Sequence, residues 1–224
     1  MKKEFKQSKS SSLSVFDLDG TLLVGNSSFQ FGTFLYRKGQ LSLLRSLQII
    51  SSYVQHLYFG TSMTQVHGKA FDCCFVGRSR LWLEQHVQDF LRERLSQLTY
   101  SPAAQKLSER QVRGDVVAIF SSSPDFLVKP IAAYFGVEHW RASHYPFSLA
   151  GHLEQRPIVF HGADKAQELR VLATRLGIAI EETIAYSDSS WDLPFLKSAG
   201  QAVAVRPDRR LRTICLQSGW EVLE

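Results

Sequence analysis

Two carboxylates separated by one residue, Asp17 and Asp19, follow an apolar run in the segment VFDLDGTLL. The run is typical of a buried strand, and aspartate is uncommon inside strands, so the pair marks the end of that strand. Residues two apart in an extended chain point to the same side, so both carboxylates can face one ligand. Because close carboxylates repel each other, we expect a positive group such as a divalent cation beside them.

Hydroxyl and carboxylate side chains also follow two further predicted strands. Ser121 and Ser122 come directly after VVAIF, and Asp188 comes after TIAYS, with Asp192 four residues further along. Ligands of open parallel sheets bind beyond the carboxyl ends of the strands, so these ends are expected to meet at one rim. Lys165, near the start of a predicted helix, can reach the same rim and supply a positive charge.

This combination of groups favours phosphoryl transfer. All-oxygen ligands favour Mg²⁺, which takes one or two carboxylates together with water and a substrate phosphate. A carboxylate can attack phosphorus to form an aspartyl-phosphate, and a second carboxylate can protonate the leaving group and then activate water. Asp17 and Asp19 fit these two roles, while a lysine, a hydroxyl and backbone N–H groups can neutralise and position the phosphoryl oxygens.

Strand and helix patterns alternate along the chain outside residues 26–100. Short apolar runs such as VVAIF and QAVAV predict buried strands, and KAQELRVLATRLG predicts an amphipathic helix that ends at Gly177. This alternation indicates an α/β fold with a parallel, Rossmann-like sheet covered by helices. The C-terminal segment predicts a last helix with a short extension, and its basic cluster at residues 206–212 predicts a solvated helix face.

Residues 26–100 follow a helical pattern instead. In LWLEQHVQDFLRERL, for example, Leu83, Val87 and Phe90 recur on one face and polar side chains on the other. We therefore predict a helical cap at residues 26–100, inserted after the first strand, and a core formed by residues 1–25 and 101–224. Residues 1–11 are polar and basic and predict a flexible tail.

The composition is that of an ordinary globular protein. Of the 224 residues, 44% are hydrophobic and 21% are charged, and the net charge is +5. A mild positive charge is compatible with anionic substrates, nucleic acid or an acidic membrane surface, and it selects none of them. The three cysteines have neither disulfide nor zinc-ligand spacing, which indicates a reducing, cytoplasmic location.

No segment is predicted to cross a membrane or to direct secretion. The N-terminus lacks the apolar core of a signal peptide. The most apolar stretch, residues 41–60, contains Arg45, Gln48 and His56. We therefore predict a packed helix there, with an interfacial helix as the alternative.

Four features of the chain, DLDGT, the serine after VVAIF, Lys165 and YSDSSWD, resemble in the same order the four motifs of the haloacid dehalogenase (HAD) superfamily of hydrolases. The resemblance extends over residues 11–224. The helical insert is similar to the C1-type cap of the phosphoserine phosphatase-like branch, subclass IB. This resemblance implies a Rossmann-like core, an aspartyl-phosphate intermediate and Mg²⁺ as the cofactor.

The resemblance also implies roles for the acidic residues. Asp17 would be the nucleophile and a metal ligand. Asp19 would be the acid and base, with its backbone carbonyl on the metal. Asp188 would bind Mg²⁺, and Asp192 would complete the metal shell or orient Lys165.

Other residues of the motifs would hold the transferring phosphoryl group. Ser121 and Lys165 would bind its oxygens, with Ser122 as a further phosphate-binding candidate. Gly20 would let the backbone approach the phosphate closely, and Thr21 would brace the loop.

Several positions depart from the pattern of phosphoserine phosphatases. Asn26 stands where those enzymes have an acidic residue that holds the substrate's amino group. Ser122 and Ser123 replace a glycine pair, and Ser187 replaces a glycine. Because a neutral amide cannot pair with an ammonium group by charge, Asn26 is a candidate substrate residue for a compound other than phosphoserine.

We therefore predict a Mg²⁺-dependent, cytoplasmic phosphoric monoester hydrolase that acts on a small phosphorylated metabolite and has no nucleic-acid partner. The alternatives are a phosphatase of lipid phosphates such as phosphatidylglycerophosphate, a phosphotransferase, and a non-catalytic binding protein on the same scaffold. A membrane surface is a minor alternative partner, permitted by the basic tail and the apolar insert. The sequence leaves the oligomeric state open.

Overall fold

The computed structural model of the protein describes residues 12–224, apart from the side chains of residues 56–59. The predicted basic tail at residues 1–11 lies outside this range. Within the described range, helices and strands alternate except in the long helical insert that follows the first strand.

A single sheet lies at the centre of the described chain. Its strands, in chain order, are β1 (Leu13–Phe16), β2 (Val116–Pro124), β3 (His139–Ser143), β4 (Thr183–Ser187), β5 (Gln201–Val205) and β6 (Glu221–Leu223). They lie side by side in the order β3-β2-β1-β4-β5-β6, and every neighbouring pair is parallel. The predicted α/β class with a parallel, Rossmann-like sheet is therefore confirmed.

Strand β1 is buried because helices cover both faces of the sheet. Leu13 and Val15 belong to one hydrophobic cluster and Phe16 belongs to another, as the two-residue period of a strand requires. The ring of Phe16 stacks on that of Tyr186 from β4, with 4.0 Å between their centroids. The continuous apolar run seen in the sequence is thus a strand that is packed on both sides.

The insert between β1 and β2 is helical throughout most of its length. It contains α1 (Ser27–Arg37), α2 (Leu43–Phe59), α3 (Met63–Ala70), a π-helical turn (Phe71–Phe75) and α4 (Arg80–Leu98). The ring of Phe31 lies 5.4 Å from that of Phe90 and 6.4 Å from that of Phe75, which joins three of these elements. The division of the chain into a cap at residues 26–100 and a core stays a prediction.

Five further helices pack on the sheet. They are α5 (Ser101–Val112), α6 (Asp125–Tyr134), α7 (Gly162–Leu176), α8 (Leu193–Ser198) and α9 (Arg209–Ser218). Helix α7 ends at Gly177, whose left-handed φ of +68° allows the C-terminal cap predicted there. Among the helices of residues 12–224, none combines the length and the apolar character needed to cross a membrane.

The segment between β3 and α7 connects the insert to the sheet. It forms antiparallel bridges between His144 and Ile158 and between Phe147 and Leu153, in agreement with the predicted hairpin-like excursion. The backbone N–H of Gly77, at the end of the insert's π-helical turn, donates to the carbonyl of Leu153 over 2.7 Å. The insert is therefore held to the rest of the fold by a hydrogen bond in addition to its two chain connections.

Two strands differ from the sequence prediction. The prediction ends the second strand at Phe120, but β2 continues to Pro124, with a shift of its register against β3. The C-terminal extension, left unassigned by the pattern, adds β6 to the sheet edge, where Val203 pairs with Glu221. Both differences arise because backbone groups pair in a sheet, whereas the pattern reports only side-chain polarity.

Candidate active site

Asp17 lies at the carboxyl end of β1, where its backbone N–H donates to the carbonyl of Tyr186 over 2.8 Å. Lys165 extends from the first turn of α7 and donates through Nζ to Asp17 Oδ1 at 2.8 Å and to Asp192 Oδ2 at 2.7 Å. All three side chains are buried. The structure thus places one buried cation between two buried carboxylates, so the charges compensate each other.

Asp188 approaches the loop that follows Asp17 because β1 and β4 are neighbours in the sheet. Phe16 and Tyr186 are paired in the register of these parallel strands, so β1 and β4 end at the same edge of the sheet. Thr21 Oγ1 donates to Asp188 Oδ1 over 3.3 Å. Gly20 has a φ of +78°, and a Cβ there would lie 2.1 Å from Asp188 Oδ2. Only glycine therefore fits between this loop and Asp188.

Both carboxylate oxygens of Asp19 accept hydrogen bonds from the chain. The backbone N–H of Ser27 donates to Oδ1 over 2.6 Å, and the hydroxyl of Ser123 donates to Oδ2 over 2.5 Å. The hydroxyls of Ser27 and Ser28 lie 3.1 and 2.8 Å from that of Ser123. Three serines, from the end of β2 and the start of α1, therefore determine where the Asp19 carboxylate lies.

The two serines predicted to bind phosphate differ in their surroundings. Ser121 is completely buried, and its hydroxyl accepts from the backbone N–H of Ser123 over 3.0 Å. The carbonyl of Ser122 accepts from the hydroxyl of Ser143 on β3 over 2.6 Å, and Ser122 lines a cavity beside Asp19. Their phosphate-binding roles remain predictions.

Burial makes negative charge unfavourable at this rim. It raises the pKa of Asp17 well above the usual range, although Lys165 acts in the opposite direction. It also raises the pKa of Asp188 to about 6, with a further increase from the charge of Asp192. Burial alone would lower the pKa of Lys165, but Asp17 and Asp192 outweigh it and raise this pKa. The lysine is therefore a permanent cation here.

The acidic side chains at the rim fit a hard divalent cation of the Mg²⁺ type. Asp17 Oδ1 accepts from Lys165 and from the N–H of Leu18, and Oδ2 accepts no hydrogen bond from residues 12–224. No group of three His, Cys, Asp or Glu side chains in the described chain forms a ready metal cage. Mg²⁺ takes only one or two carboxylates and adds backbone carbonyl, water and phosphate oxygens, so Asp17 and Asp188 would suffice.

Asp192 holds Lys165 in place in this structure, and Ser187 in turn holds Asp192. The Ser187 hydroxyl donates to the same oxygen of Asp192 that binds Lys165, over 2.8 Å. Of the two roles implied for Asp192, this geometry favours the orientation of Lys165. Ser187, which replaces a glycine of the related pattern, adds a hydrogen bond that glycine could not make.

Arg206 holds the loop that contains Gly20 through a hydrogen bond, and the sequence interpretation missed this contact. Its Nη2 donates to the carbonyl of Gly20 over 2.8 Å, and its guanidinium carbon lies 4.0 Å from the centre of the Tyr100 ring. The predicted solvated helix face at residues 206–212 is wrong for Arg206, which precedes α9 and has a φ of +43°. The basic cluster gave no signal of this contact, because the contact joins the two ends of the chain.

A cavity of about 100 Å³ opens beside Asp19, between the insert and the end of β2. Asn26 lines it and also caps α1, since its side chain accepts from the N–H of Phe29 over 2.8 Å. His67 and Tyr145 line it as well, with 2.9 Å between His67 Nδ1 and the tyrosine hydroxyl. Neither had a recognisable spacing in the sequence, so the pattern could not place them near Asp19.

Comparisons with known proteins agree with the fold and identify the family. Residues 14–197 match the family of haloacid dehalogenase-like hydrolases, and the chain belongs to that family. A probable phosphatase of Mycobacterium tuberculosis is 30% identical over 213 residues, which cover 93% of this chain and 73% of that protein. A phosphoserine phosphatase of the same species is 28% identical over 212 residues, covering 92% and 68%.

Solved structures show the same fold. A Bordetella pertussis protein of unknown function covers 96% of this chain and 99% of its own, with 24% identity and a TM-score of 0.86. A substrate-bound phosphoserine phosphatase covers 96% of this chain and 94% of its own, with 18% identity and a TM-score of 0.71. The chain is a phosphoric monoester hydrolase of the phosphoserine phosphatase-like branch. The predicted enzyme class and the predicted family branch are both confirmed.

Proposed function

We propose that the protein is a Mg²⁺-dependent phosphatase that hydrolyses a small phosphorylated metabolite of the cytoplasm through an aspartyl-phosphate on Asp17. The observation that carries this proposal is the Asp17–Lys165–Asp192 arrangement at the ends of β1 and β4, with Asp188 beside it. The relatives named as phosphatases support the same reaction.

Asp17 is arranged to attack phosphorus through Oδ2. Lys165 and the N–H of Leu18 hold Oδ1, which orients the carboxylate and leaves the second oxygen for bonding. In the first step a bond forms between Oδ2 and phosphorus, and the bond from phosphorus to the substrate alcohol breaks. Lys165 lies close enough to neutralise charge on the phosphoryl oxygens, which is the main requirement of phosphoryl transfer.

Asp19 is placed to move the proton in both steps. Burial raises its pKa, while hydrogen bonds from Ser123 and Ser27 hold it in one position. It would protonate the leaving alcohol in the first step and take a proton from water in the second. Water then attacks phosphorus, phosphate leaves, and the Asp17 carboxylate is restored.

Asp188, the backbone carbonyl of Asp19 and the Asp17 oxygen that does not attack phosphorus would hold Mg²⁺. When bound, the ion supplies positive charge that offsets the negative charge of the phosphoryl group. The raised pKa of Asp188, about 6, supports this assignment, because a nearby cation would favour its charged form.

The test is phosphate release from p-nitrophenyl phosphate with Mg²⁺ present and after its removal by EDTA. Asp17→Asn should lower the rate at least about a thousandfold, because an amide oxygen is a poor nucleophile. Asp89→Asn makes the same change on the exposed face of α4 and should not alter it. Asp17→Asn also weakens the buried pair with Lys165, so its urea midpoint should fall, and a single cooperative unfolding transition in both variants shows that the fold is retained. Substantial activity in Asp17→Asn would reject the nucleophile.

The covalent step has its own measurement. Rapid acid quenching during turnover of a phosphate-labelled substrate should leave label on the peptide that contains Asp17. Added alcohols show which acceptor takes the phosphoryl group from the aspartyl-phosphate. Transfer to water defines a phosphatase, and transfer mainly to the alcohol would define a phosphotransferase instead. Failure to release phosphate from any ester would favour a non-catalytic binding protein.

A lipid phosphate is a second candidate substrate, favoured by one observation. Helix α2 exposes a series of apolar side chains, among them Leu43, Leu44 and Leu47, each more than half exposed. Such a surface can bind the interface of a bilayer. Sedimentation with anionic and with neutral vesicles tests whether the protein binds a bilayer. If the protein sediments with the vesicles and hydrolyses a vesicle-borne phosphate faster than a soluble one, the lipid phosphate is the better substrate assignment.

A further inference from the structure

The cavity beside Asp19 has an apolar wall. Phe31 from α1, Ile49 from α2, Val66 from α3 and Leu127 from α6 all contribute to it. Apart from Asp19, no described residue of the lining carries a formal charge at neutral pH. The wall thus offers no counter-charge to an ammonium or a carboxylate group that enters beyond the catalytic acid.

His67 adds a neutral polar group to this wall. It is 8% exposed, and its Nδ1 lies 2.9 Å from the hydroxyl of Tyr145. The other ring nitrogen, Nε2, has no hydrogen-bond partner among the residues that the structure describes. Burial lowers the pKa of His67 to about 4, so the ring is uncharged at neutral pH. Nε2 can therefore donate one hydrogen bond to a ligand, or accept one from it, without adding charge to the wall.

Gly32 leaves room for a ligand on the same side of α1. It lines the cavity, and a Cβ built there would meet no heavy atom within 4 Å. Glycine inside a helix is less favourable than alanine, because it loses more backbone freedom on folding. No backbone strain at this position requires glycine, since its φ is not positive. The missing side chain enlarges the space between the insert helices.

We infer that this cavity receives the leaving group, and that the leaving group is a compact, uncharged and mainly apolar alcohol. The inference rests on the proposed function, because it places the ester oxygen beside Asp19. A carboxylate would be repelled by Asp19, and an ammonium group would lose its water without a further partner. The volume of about 100 Å³ is of the order of cavities that hold one benzene ring, which limits the group to about that size.

A substrate panel compares leaving groups that share the same phosphate. Benzyl phosphate should exceed phosphoserine and phosphoethanolamine in kcat/KM by at least about tenfold, since a few buried apolar carbons supply that much discrimination. A preference for phosphoserine, with Mg²⁺-dependent release of phosphate intact, would overturn the inference and leave the proposed function standing.

The charge of the wall is tested with Asn26→Asp. Aspartate is nearly the same size and also caps helices well, so α1 should be retained. The new carboxylate should raise the ratio of kcat/KM for phosphoethanolamine to that for benzyl phosphate several-fold. Gln105→Glu makes the same charge change on the exposed face of α5 and should leave the ratio as it is. An equal ratio in all three proteins would show that the leaving group does not reach this wall.

The volume of the cavity is tested with Gly32→Leu. The added side chain should lower kcat/KM for benzyl phosphate at least about tenfold more than that for methyl phosphate, because only the ring needs the space. Gly32→Ala should give a smaller loss in the same direction. Equal losses for the two substrates would place the leaving group elsewhere.

A binding measurement separates this inference from the proposed function. In calorimetry with Mg²⁺ present, benzylphosphonate should bind the unmodified protein at least about tenfold more tightly than 2-aminoethylphosphonate. Selective binding without hydrolysis of any ester would reject the proposed function and support the cavity assignment. Equal or reversed affinities would overturn the cavity assignment whatever the enzyme hydrolyses.

Discussion

The proposed catalytic rim, formed by Asp17, Asp19, Lys165, Asp188 and Asp192, differs sharply in charge from the cavity beside it. The rim gathers four carboxylates and one ammonium group, all at the ends of β1 and β4 or in the first turns of helices. The cavity is bounded mainly by apolar side chains of the insert and by neutral polar groups. Asp19 belongs to both.

Under the proposed function, this difference separates two tasks. Charge that moves during phosphoryl transfer needs fixed, opposite charges, and the strand ends of a sheet hold such groups rigidly. A leaving group needs only a space of the right size and polarity, and in our proposal the cavity beside the insert helices provides it. The insert can therefore change the preferred substrate without altering the chemistry at the rim.

The largest expected effect is at the centre of the rim. Lys165→Met leaves Asp17 and Asp192 buried without their cation, so it should lower the free energy of unfolding by about 3 to 5 kcal/mol. Phosphate release should fall at least about a thousandfold. Urea unfolding and the steady-state rate measure the two effects. The exposed Lys197→Met is the control, and a similar loss in both variants would contradict the special place of Lys165.

A second variant tests the close contact of the loop with Asp188. Gly20→Ala places a methyl group 2.1 Å from Asp188 Oδ2, so the carboxylate must move and activity should fall at least about a hundredfold. Gly25→Ala has a similar backbone strain, with a φ of +82°, but no atom within 4 Å of the new Cβ. Comparison of the two rates isolates the contact, and equal losses would mean that strain alone matters.

The junction between the two regions is sensitive to Ser123. Ser123→Ala removes a donor from the Asp19 carboxylate, so its pKa should rise further and kcat should fall about tenfold. The alkaline limb of the kcat profile should move to higher pH, because the acid form of Asp19 then persists longer. Ser28→Ala touches Asp19 only through Ser123 and should produce a smaller shift. An unmoved limb would contradict the role of Asp19 as the acid.

At neutral pH the smallest effect concerns the cavity, because it appears only in acid. The pKa of His67 is about 4 in the folded protein, against an ordinary value of 6.5. The ring therefore binds a proton more tightly in the unfolded chain than in the folded protein. The stabilisation is complete above pH 6.5 and is lost as the pH falls towards 4, by about 3 kcal/mol in total. His67→Gln should remove that part of the slope in urea unfolding, and an unchanged slope would contradict the buried, neutral state of the ring. The half-buried His139→Gln is the control.

Much of the fold was accessible from the sequence because its signals are local. The apolar runs of β1, β2, β4 and β5 and the helical periods of the insert predicted the confirmed α/β class. The ends of adjacent parallel strands must lie at one edge, so the convergence of Asp17 and Asp188 followed from topology alone. The strand β6 escaped prediction, because a short polar edge strand has no distinctive side-chain pattern.

The contacts within the site were less accessible. The spacing of Asp17 and Asp19 predicted that both could face one ligand, but the hydrogen bonds from Ser27 and Ser123 direct Asp19 towards the cavity. The sequence pattern favoured the first serine after the apolar run as the phosphate ligand, whereas the structure places the third, Ser123, in contact with Asp19, the proposed acid. A choice among consecutive serines depends on side-chain directions within an irregular strand, which polarity alone does not encode.

By itself, the sequence determined that carboxylates would stand at strand ends and that a helical insert would follow the first of them. These features depend on neighbouring residues and on the rules of parallel sheets. Only the tertiary structure decided that Arg206 braces Gly20, that His67 pairs with Tyr145, and that an apolar cavity adjoins Asp19. Each of these contacts joins segments far apart along the chain, so it arises from packing in three dimensions and leaves no local trace.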